Sequence, residues 1–347
     1  MAEHTSTGPT ATAAGTAPAP PPAAPPGGES AGSRRRFDGE WFRRNGVYLG
    51  LVALVLVNLV ITPNFASTGS LRLQMVQVAP IIVVSLGMAM VIGTGGIDLS
   101  VGAVMAMTAA VIPLYIGYGT LGAIAVGLVA GVLSGALAGS VVARIGVQPI
   151  IATLAIMVGL RGLANIVGGQ IKSIRDPGFR ELGSGDLFGV PWVVLVAVVV
   201  AVLVWVLMSR TTFGRQLMAI GGNARASQLA GLPVKRVLTT VYVLSGLLAA
   251  LAGVLLVGRN QASDPATLGR LVELTAITAV VVGGTPLTGG QVRVLGTVAG
   301  ALLMQLITYT LVAQDITNSV AQMVQAVIVV LAVYAQVGTR KRRRSRA

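Results

Sequence analysis

The chain has 347 residues, of which 54% are hydrophobic and only 10% are charged, whereas soluble domains usually carry about 25% charged residues. That composition excludes a water-soluble fold and predicts an integral membrane protein. The net charge of +14 does not indicate nucleic-acid binding, because the basic residues lie at the ends of apolar runs and not in a stripe with interleaved aromatics. The chain has no cysteine and a single histidine, His4, so we expect no metal site.

Residues 1–44 are predicted to form a disordered tail. Residues 1–33 are rich in Ala, Pro, Thr and Gly, and such a composition buries too little apolar surface to offset the entropy lost on ordering. No short apolar core follows a basic segment there, so this stretch does not predict a signal peptide. The first apolar run, residues 47–61, is therefore expected to remain as a membrane anchor.

Ten apolar runs, bounded by Gly, Pro and charged residues, predict an all-α polytopic membrane domain over residues 45–338. The eighth run is shorter than the roughly 17–25 residues that a helix needs to cross a bilayer, which predicts broken or short helices at the core. The predicted spans are 46–62, 73–93, 99–116, 119–141, 148–168, 190–208, 237–257, 273–284, 294–313 and 318–337.

The basic residues predict the orientation of these spans. An even number of spans places both termini on one side, and arginine-rich segments lie near both ends of the chain, at 34–44 and 340–346. Cytoplasmic segments carry the excess of Lys and Arg, so we expect both termini to be cytoplasmic. Residues 339–347 then form a basic cytoplasmic tail.

The longest cytoplasmic loop, residues 209–236, has the signals of a short helix. Asn223 is a candidate N-cap, residues 224–230 favour a helix, Gly231 is suited to end it, and Pro233 follows. A capped helix between two spans could pass force between the membrane domain and a cytoplasmic partner. The alternative is an ordinary amphipathic connector.

A pattern of the form GGxxL[ST]xG occurs twice, at 95–102 and at 283–290. Paired glycines disfavour a helix and hydroxyls can bind the freed backbone groups, so both segments are expected to interrupt helices near or within the membrane. Such breaks at matching places in two halves indicate a transport path. Six predicted spans separate the copies, which implies a shared orientation and a parallel repeat, although a chance match in a glycine-rich chain is the alternative.

Few ionisable residues lie at predicted membrane depth, and such residues are functional candidates because a charge in lipid is costly. They are Asp98, Arg161, Glu273 and, near the tenth span, Asp315. We interpret Asp98 as the cap of a helix that begins near Leu99, with a role in bracing the path as the alternative. Arg161 either faces a polar cavity or an acid, or extends toward the membrane surface.

No energy source is evident in the chain itself. It contains no GxxxxGK[ST] phosphate loop, and no histidine and few carboxylates lie in the predicted spans to form a proton relay. We therefore expect a protein that is not an enzyme and that receives energy from a partner through the loop 209–236.

Four blocks carry a family resemblance. They are GGIDLSVG at 95–102, QPIIATLAIMVGLRGLA at 148–164, TTFGRQLMAIGGNARASQLAGLPV at 211–234 and ELTAITAVVVGGTPLTGGQVRVLGT at 273–297. In this order they resemble the permease subunits of bacterial ABC sugar importers of the ribose, xylose, arabinose and galactose type, over residues 45–337. The resemblance implies the ABC importer permease fold in the bacterial cytoplasmic membrane, in contact with lipid.

The resemblance also implies partners and site residues. The partners are a second permease subunit, most simply an identical one, a cytoplasmic ATP-binding-cassette ATPase that holds ATP and Mg, and an extracytoplasmic sugar-binding protein. The ATPase-coupling loop then includes Thr212, Phe213, Gly214, Arg215, Ala219, Gly221, Gly222, Asn223, Arg225 and Gly231. The translocation path is expected near Gly95, Gly96, Asp98, Ser100, Gly102, Arg161, Glu273, Gly283, Gly284 and Thr288.

The predicted substrate is a monosaccharide, in the first place a pentose such as ribose or xylose. Related permeases carry nucleosides, polyols, a furanosyl signal or branched-chain amino acids, which are the alternatives, and a stand-alone secondary carrier is a further one. The chain itself is expected to bind no cofactor.

Overall fold

The computed structural model describes Gly8, residues 39–317 and the positions 319–320, 322–324, 326–328 and 330. Within this part the fold is helical, and its strands form only two short antiparallel pairs, β1 with β4 and β2 with β3. The helices are α1 Gly39–Ile61, α2 Thr68–Gly93, α3 Val101–Tyr115, α4 Thr120–Ser140, α5 Pro149–Gly168, α6 Pro177–Ser184, α7 Trp192–Arg210, α8 Thr212–Gly222, α9 Ala224–Leu229, α10 Val234–Asn260, α11 Val272–Val282 and α12 Val294–Ala313. The strands are β1 Lys172–Ser173, β2 Asp186–Leu187, β3 Val190–Pro191 and β4 Ala262–Ser263.

The first nine predicted spans each correspond to a helix. Within the tenth span, 318–337, the described positions are helical, and the rest lies outside the described residues. In the described part, seven helices are long and apolar enough to cross a membrane, while the apolar part of α1 and the whole of α11 are shorter. The all-α polytopic fold is therefore confirmed. The helix α1 begins at Gly39, inside the predicted tail 1–44; apart from Gly8, the earlier tail lies outside the described residues, as does the basic segment 339–347.

The bundle is built around α2 and α10, which are its most buried helices. Glycines at every fourth position of α4 face α10. At Gly131, Gly135 and Gly139, an added Cβ would overlap the backbone of α10, at Gly246, Tyr242 and Thr239 respectively. Small residues at this spacing let helix backbones approach closely where lipid supplies no hydrophobic force between helices. The sequence of α4 thus fixes the contact at the centre of the fold.

The bundle has two ends, which we name by the short helices they carry. At the α6 end, Arg72 near the start of α2 forms an ion pair with Asp186 at 2.9 Å and donates to the Ser184 carbonyl at 3.1 Å. At the α8 end, Gly93 at the close of α2 lies against Leu217 of α8. The helix α2 therefore runs from the α6 end to the α8 end.

Two helices, α3 and α11, begin inside the bundle, and their first turns meet. The 11 residues of α11 span about 16 Å, roughly half of a hydrocarbon core of about 30 Å. The segment that joins β4 to α11 reaches from the α6 end to Gly102, in the first turn of α3, where Gly269 makes direct backbone contact. Asp98, just before α3, bonds to Ser245 near the middle of α10. The N-termini of α3 and α11 therefore lie inside the bundle, away from both ends.

Candidate functional site

The loop 209–236 forms two short helices, α8 and α9, at the end of α7. Thr211 caps α8: its hydroxyl accepts the Gly214 N–H at 3.4 Å and donates to the Leu207 carbonyl at 2.6 Å. Gly214 lies so close to the backbone of Met208 that no side chain fits between them. This tight turn folds α8 back against the bundle.

The two faces of α8 differ in chemistry. Leu217 and Ile220 are buried, and Phe213 packs against the same hydrophobic core. The opposite face is exposed, and it carries the candidate residues Thr212, Arg215, Ala219 and Gly222. The helix is therefore anchored on one side and accessible to a partner on the other.

The helix α9 has the predicted cap and end. Asn223 Oδ1 accepts the Ala226 N–H at 3.0 Å. Gly231, at φ +82°, donates its N–H to the Gln228 carbonyl at 3.0 Å and ends the helix in a Schellman motif. These local predictions are confirmed. Asn223, Arg225 and Gly231 are all exposed, so they extend the accessible face of α8.

Both predicted glycine segments interrupt helices. The helices α2 and α11 run toward the α8 end and close in Schellman motifs with left-handed glycines, Gly95 at φ +85° and Gly284 at φ +88°. The next helices, α3 and α12, run back from there, so the shared orientation of the two copies is confirmed. The sequence pattern pairs Gly95 with Gly283, however, so the two turns match in structure only after a shift of one residue.

The two glycine segments meet each other and α8. The Gly290 N–H donates to the Gly93 carbonyl at 2.9 Å. Gly289, at φ +78°, sits where an added Cβ would lie 2.7 Å from the Gly95 nitrogen and 2.8 Å from the Gly221 oxygen. We call this contact of residues 93–95, 288–290 and 221–222 the α8 junction. The candidates Gly95, Gly221 and Thr288 thus lie together at the α8 end.

Asp98 is buried and fully engaged. Its Oδ1 accepts the Ser100 N–H at 3.0 Å and the Ser100 hydroxyl at 2.6 Å, while Oδ2 accepts the Ser245 hydroxyl from α10 at 2.9 Å. The helix that follows begins at Val101, with Ser100 at the N-cap position. Asp98 accepts the N–H two residues on, as a capping residue does, but α3 begins two residues later than expected. Its second oxygen accepts from α10, so Asp98 also ties the start of α3 to that helix.

Arg161 binds backbone carbonyls and also interacts electrostatically with an acid, Glu273, which was one of the sequence alternatives. Its guanidinium donates to the carbonyls of Leu268 at 2.8 Å and Gly269 at 3.2 Å, just before α11. The side chain of Glu273, in the first turn of α11, is buried, and its Oε2 lies beside Gly102 without a hydrogen-bond partner among the described residues. Arg161, Gly102 and Glu273 therefore meet where α3 and α11 begin.

The ten path candidates fall into groups. The structure brings Gly102, Arg161 and Glu273 together, joins Asp98 to Ser100, and separates both groups from the α8 junction. Sequence reasoning missed Gly93, Ser245 and Tyr242, whose buried hydroxyl lies beside Gly96 without a hydrogen-bond partner in the described part. The only available signal was the spacing of Tyr242 and Ser245, which places both on one face of α10.

The α6 end carries a separate polar surface. Lys172, Arg175 and Asp176 line an open groove with Pro113 and Ile116. The Thr120 hydroxyl, which donates to Asp176 Oδ1 at 2.6 Å, lowers the pKa of that carboxyl together with the first N–H groups of α6. Across the described residues, no group of three His, Asp or Glu side chains is placed to hold a metal ion.

Comparison with known proteins identifies the family. A family model described as the permease component of the branched-chain amino acid transport system matches residues 71–333. The ribose import permease protein of Bacillus subtilis strain 168 is 37% identical over 305 residues, covering 86% of this chain and 94% of that protein. The galactofuranose transporter permease protein of Escherichia coli strain K12 is 35% identical over 322 residues (87% and 92%).

A third relative, the L-arabinose ABC transporter permease protein of Azospirillum brasilense, is 32% identical over 312 residues, 88% of this chain and 92% of that protein. No solved structure gives a significant match. The similarity extends over nearly the full length of all three relatives, and the helices it covers form a multi-pass membrane protein. The chain therefore belongs to this family of transport-system permeases, which confirms the resemblance read from its four blocks.

Proposed function

We propose that this chain is the membrane-spanning subunit of an ATP-binding-cassette importer that carries a monosaccharide, in the first place a pentose such as ribose or xylose, across the bacterial cytoplasmic membrane. The observation that carries the proposal is the position of α8. One face of α8 is exposed and accessible to a partner, and the other face contacts both glycine segments of the bundle. The relatives named for ribose, galactofuranose and arabinose support the substrate class.

The orientation follows from charge. The α8 end, with Arg215, Arg225, Lys235 and Arg236, is cytoplasmic under the positive-inside rule, and both termini lie on that side. A partner ATPase that holds ATP and Mg then docks on the exposed face of α8 and α9. An extracytoplasmic sugar-binding protein delivers the substrate at the α6 end, where the groove beside Lys172 lies open.

The polar groups inside the bundle are proposed to lie near the path. Sugars are uncharged and rich in hydroxyls, so a path for them needs hydrogen-bonding groups inside a hydrophobic bundle. Arg161 and Glu273 supply donors and acceptors where α3 and α11 begin. A second, identical permease subunit completes the membrane domain.

Reconstitution tests this function. The purified chain, its cognate ATPase and its binding protein are placed in vesicles, and uptake of labelled ribose and xylose is measured with and without ATP. We expect uptake only when all three proteins and ATP are present. Uptake by the chain alone without ATP would instead establish a secondary carrier, and ATP-dependent uptake restricted to a nucleoside, polyol or branched-chain amino acid would overturn the sugar assignment.

A further inference from the structure

Three stretches of chain that are distant in sequence meet in the α8 junction through backbone atoms. The Gly290 N–H donates to the Gly93 carbonyl, which links the end of α2 to the turn between α11 and α12. A Cβ added at Gly221 would overlap the Gly93 carbonyl oxygen and lie 2.6 Å from the Gly290 nitrogen. The helix α8 therefore rests directly on the hydrogen bond that joins the two turns.

The contacts around this hydrogen bond leave little freedom. Gly289 lies against both Gly95 and Gly221, and its φ of +78° is disfavoured for any other residue. A Cβ at Gly93 would overlap Val292 and lie 2.9 Å from the Leu217 side chain. Close-packed atoms of this kind transmit displacement, and at Gly221 and Gly289 the backbones touch directly, with no side chain between them.

We infer that the α8 junction is a rigid joint in which Gly221 acts as a positioning residue, so that α8 and both glycine turns move as one body. This inference rests on the proposed function, in which the partner ATPase displaces α8. The two turns end α2 and α11 and lead into α3 and α12, and α3 and α11 also meet at Gly102 and Gly269. One displacement of α8 therefore reaches α3 and α11 at the same time.

The first test substitutes the glycine on which α8 rests. In Gly221→Ala, the methyl group pushes between Gly93 and Gly290. We expect ATP-driven uptake to fall about tenfold or more, because the free-energy cost of overpacking corresponds to a factor of this size. The ATPase should still assemble and hydrolyse ATP, without stimulation by sugar-loaded binding protein. Gly69→Ala is the matched control, because Gly69 is also helical and no atom of the described residues lies within 4 Å of an added Cβ. Normal uptake and stimulation in Gly221→Ala would overturn the inference.

The second test does not depend on a substituted glycine. The chain has no cysteine, and the side chains of Leu217 and Val292 both lie beside Gly93, so Leu217→Cys with Val292→Cys places one thiol on each side of the joint, with each single variant as a control. A rigid joint predicts that a cross-link formed between the two thiols leaves uptake the same in the oxidised and reduced states. Uptake that is lost on oxidation and restored by reduction would show that α8 slides over the turns, which contradicts the joint.

These outcomes are separable from failure of the proposed function. If the chain does not work with an ATPase, the unmodified protein itself shows no ATP-dependent uptake. If only the joint is wrong, the unmodified protein transports normally, and either Gly221→Ala transports equally well or the oxidised cysteine pair stops uptake.

Discussion

Glycine brings backbones into contact both along α4 and in the α8 junction, and these two regions differ in where the glycines lie. Along α4, Gly131, Gly135 and Gly139 lie within one continuous helix and face the continuous helix α10. In the α8 junction, Gly95 and Gly289 lie in turns and have positive φ. The first region joins two helices over several turns, while the second joins three chain segments at one place.

This difference indicates that the glycines of α4 determine stability, whereas those of the α8 junction determine how movement of α8 reaches the bundle. A continuous helix has every backbone group bonded, so two helices in contact over several turns resist relative movement. The α8 junction holds its three segments together at one place only, so we expect it to move as one body with α8 while the helices that leave it adjust. We therefore expect substitutions in the α4–α10 contact to act on folding, and substitutions around α8 to act on coupling.

The largest loss of stability is expected in the α4–α10 contact. Gly135→Leu places a side chain on the backbone of Tyr242 and Val243. The backbone cannot move to relieve this overlap, so the free energy of unfolding should fall by about 3 kcal/mol or more. Thermal unfolding of the detergent-solubilised protein measures this loss. Gly122→Leu is the control on the same helix, because in the described part of the chain an added Cβ there meets only the Tyr118 Cβ, at 3.4 Å. Equal unfolding temperatures for the two variants would contradict the assignment of α4–α10 as the stabilising contact.

A smaller loss is expected where polar groups tie α3 to α10. Asp98→Ala removes the acceptor of three hydrogen bonds and leaves the donors of Ser100 and Ser245 buried, which typically costs about 1–3 kcal/mol. Ser245→Ala removes a single donor and should cost about 0.5–1.5 kcal/mol. The measurement is again thermal unfolding. A protein that becomes more stable with alanine at 98 would show that burying the carboxylate costs more than its hydrogen bonds return.

Local features of the fold were predictable from the sequence because local residues determine them. The span 294–313 coincides with α12, and the cap at Asn223 and the stop at Gly231 lie where their side chains and φ preferences place them. Hydropathy and capping act over a few residues, so a single chain displays them. The limits of α1 and α10 were placed less well, because charged residues there continue the helix beyond the apolar run.

Long-range contacts of the candidate site were not predictable. Nothing near Asp98 in the sequence points to Ser245, and nothing near Gly93 points to Gly290, since only the packing of α2, α10 and α11 brings them together. Arg161 also illustrates the limit. Sequence reasoning considered an acidic partner, and Glu273 interacts electrostatically with Arg161. The hydrogen bonds of the guanidinium to the carbonyls just before α11 were not foreseen, because they depend on how α5 packs against that segment.

The smallest effect on stability, and the sharpest separation of the two regions, is expected on the exposed face of α9. Arg225→Glu changes an exposed residue in a helix whose cap and Schellman motif stay intact, so the unfolding free energy should change by less than about 0.5 kcal/mol. The reversed charge should nevertheless weaken docking of the partner ATPase, because charge pairs across an interface set its specificity.

Gly222→Pro, at the end of α8, should also uncouple ATP hydrolysis from transport, because proline changes the path of the chain into α9. Substrate-stimulated ATPase activity in vesicles measures both variants, with insertion checked by extraction. Unchanged stimulation in both variants would show that α8 and α9 have no role in coupling. A large loss of stability in Arg225→Glu would show that the exposed face of α9 also stabilises the fold, which contradicts its assignment as a docking surface.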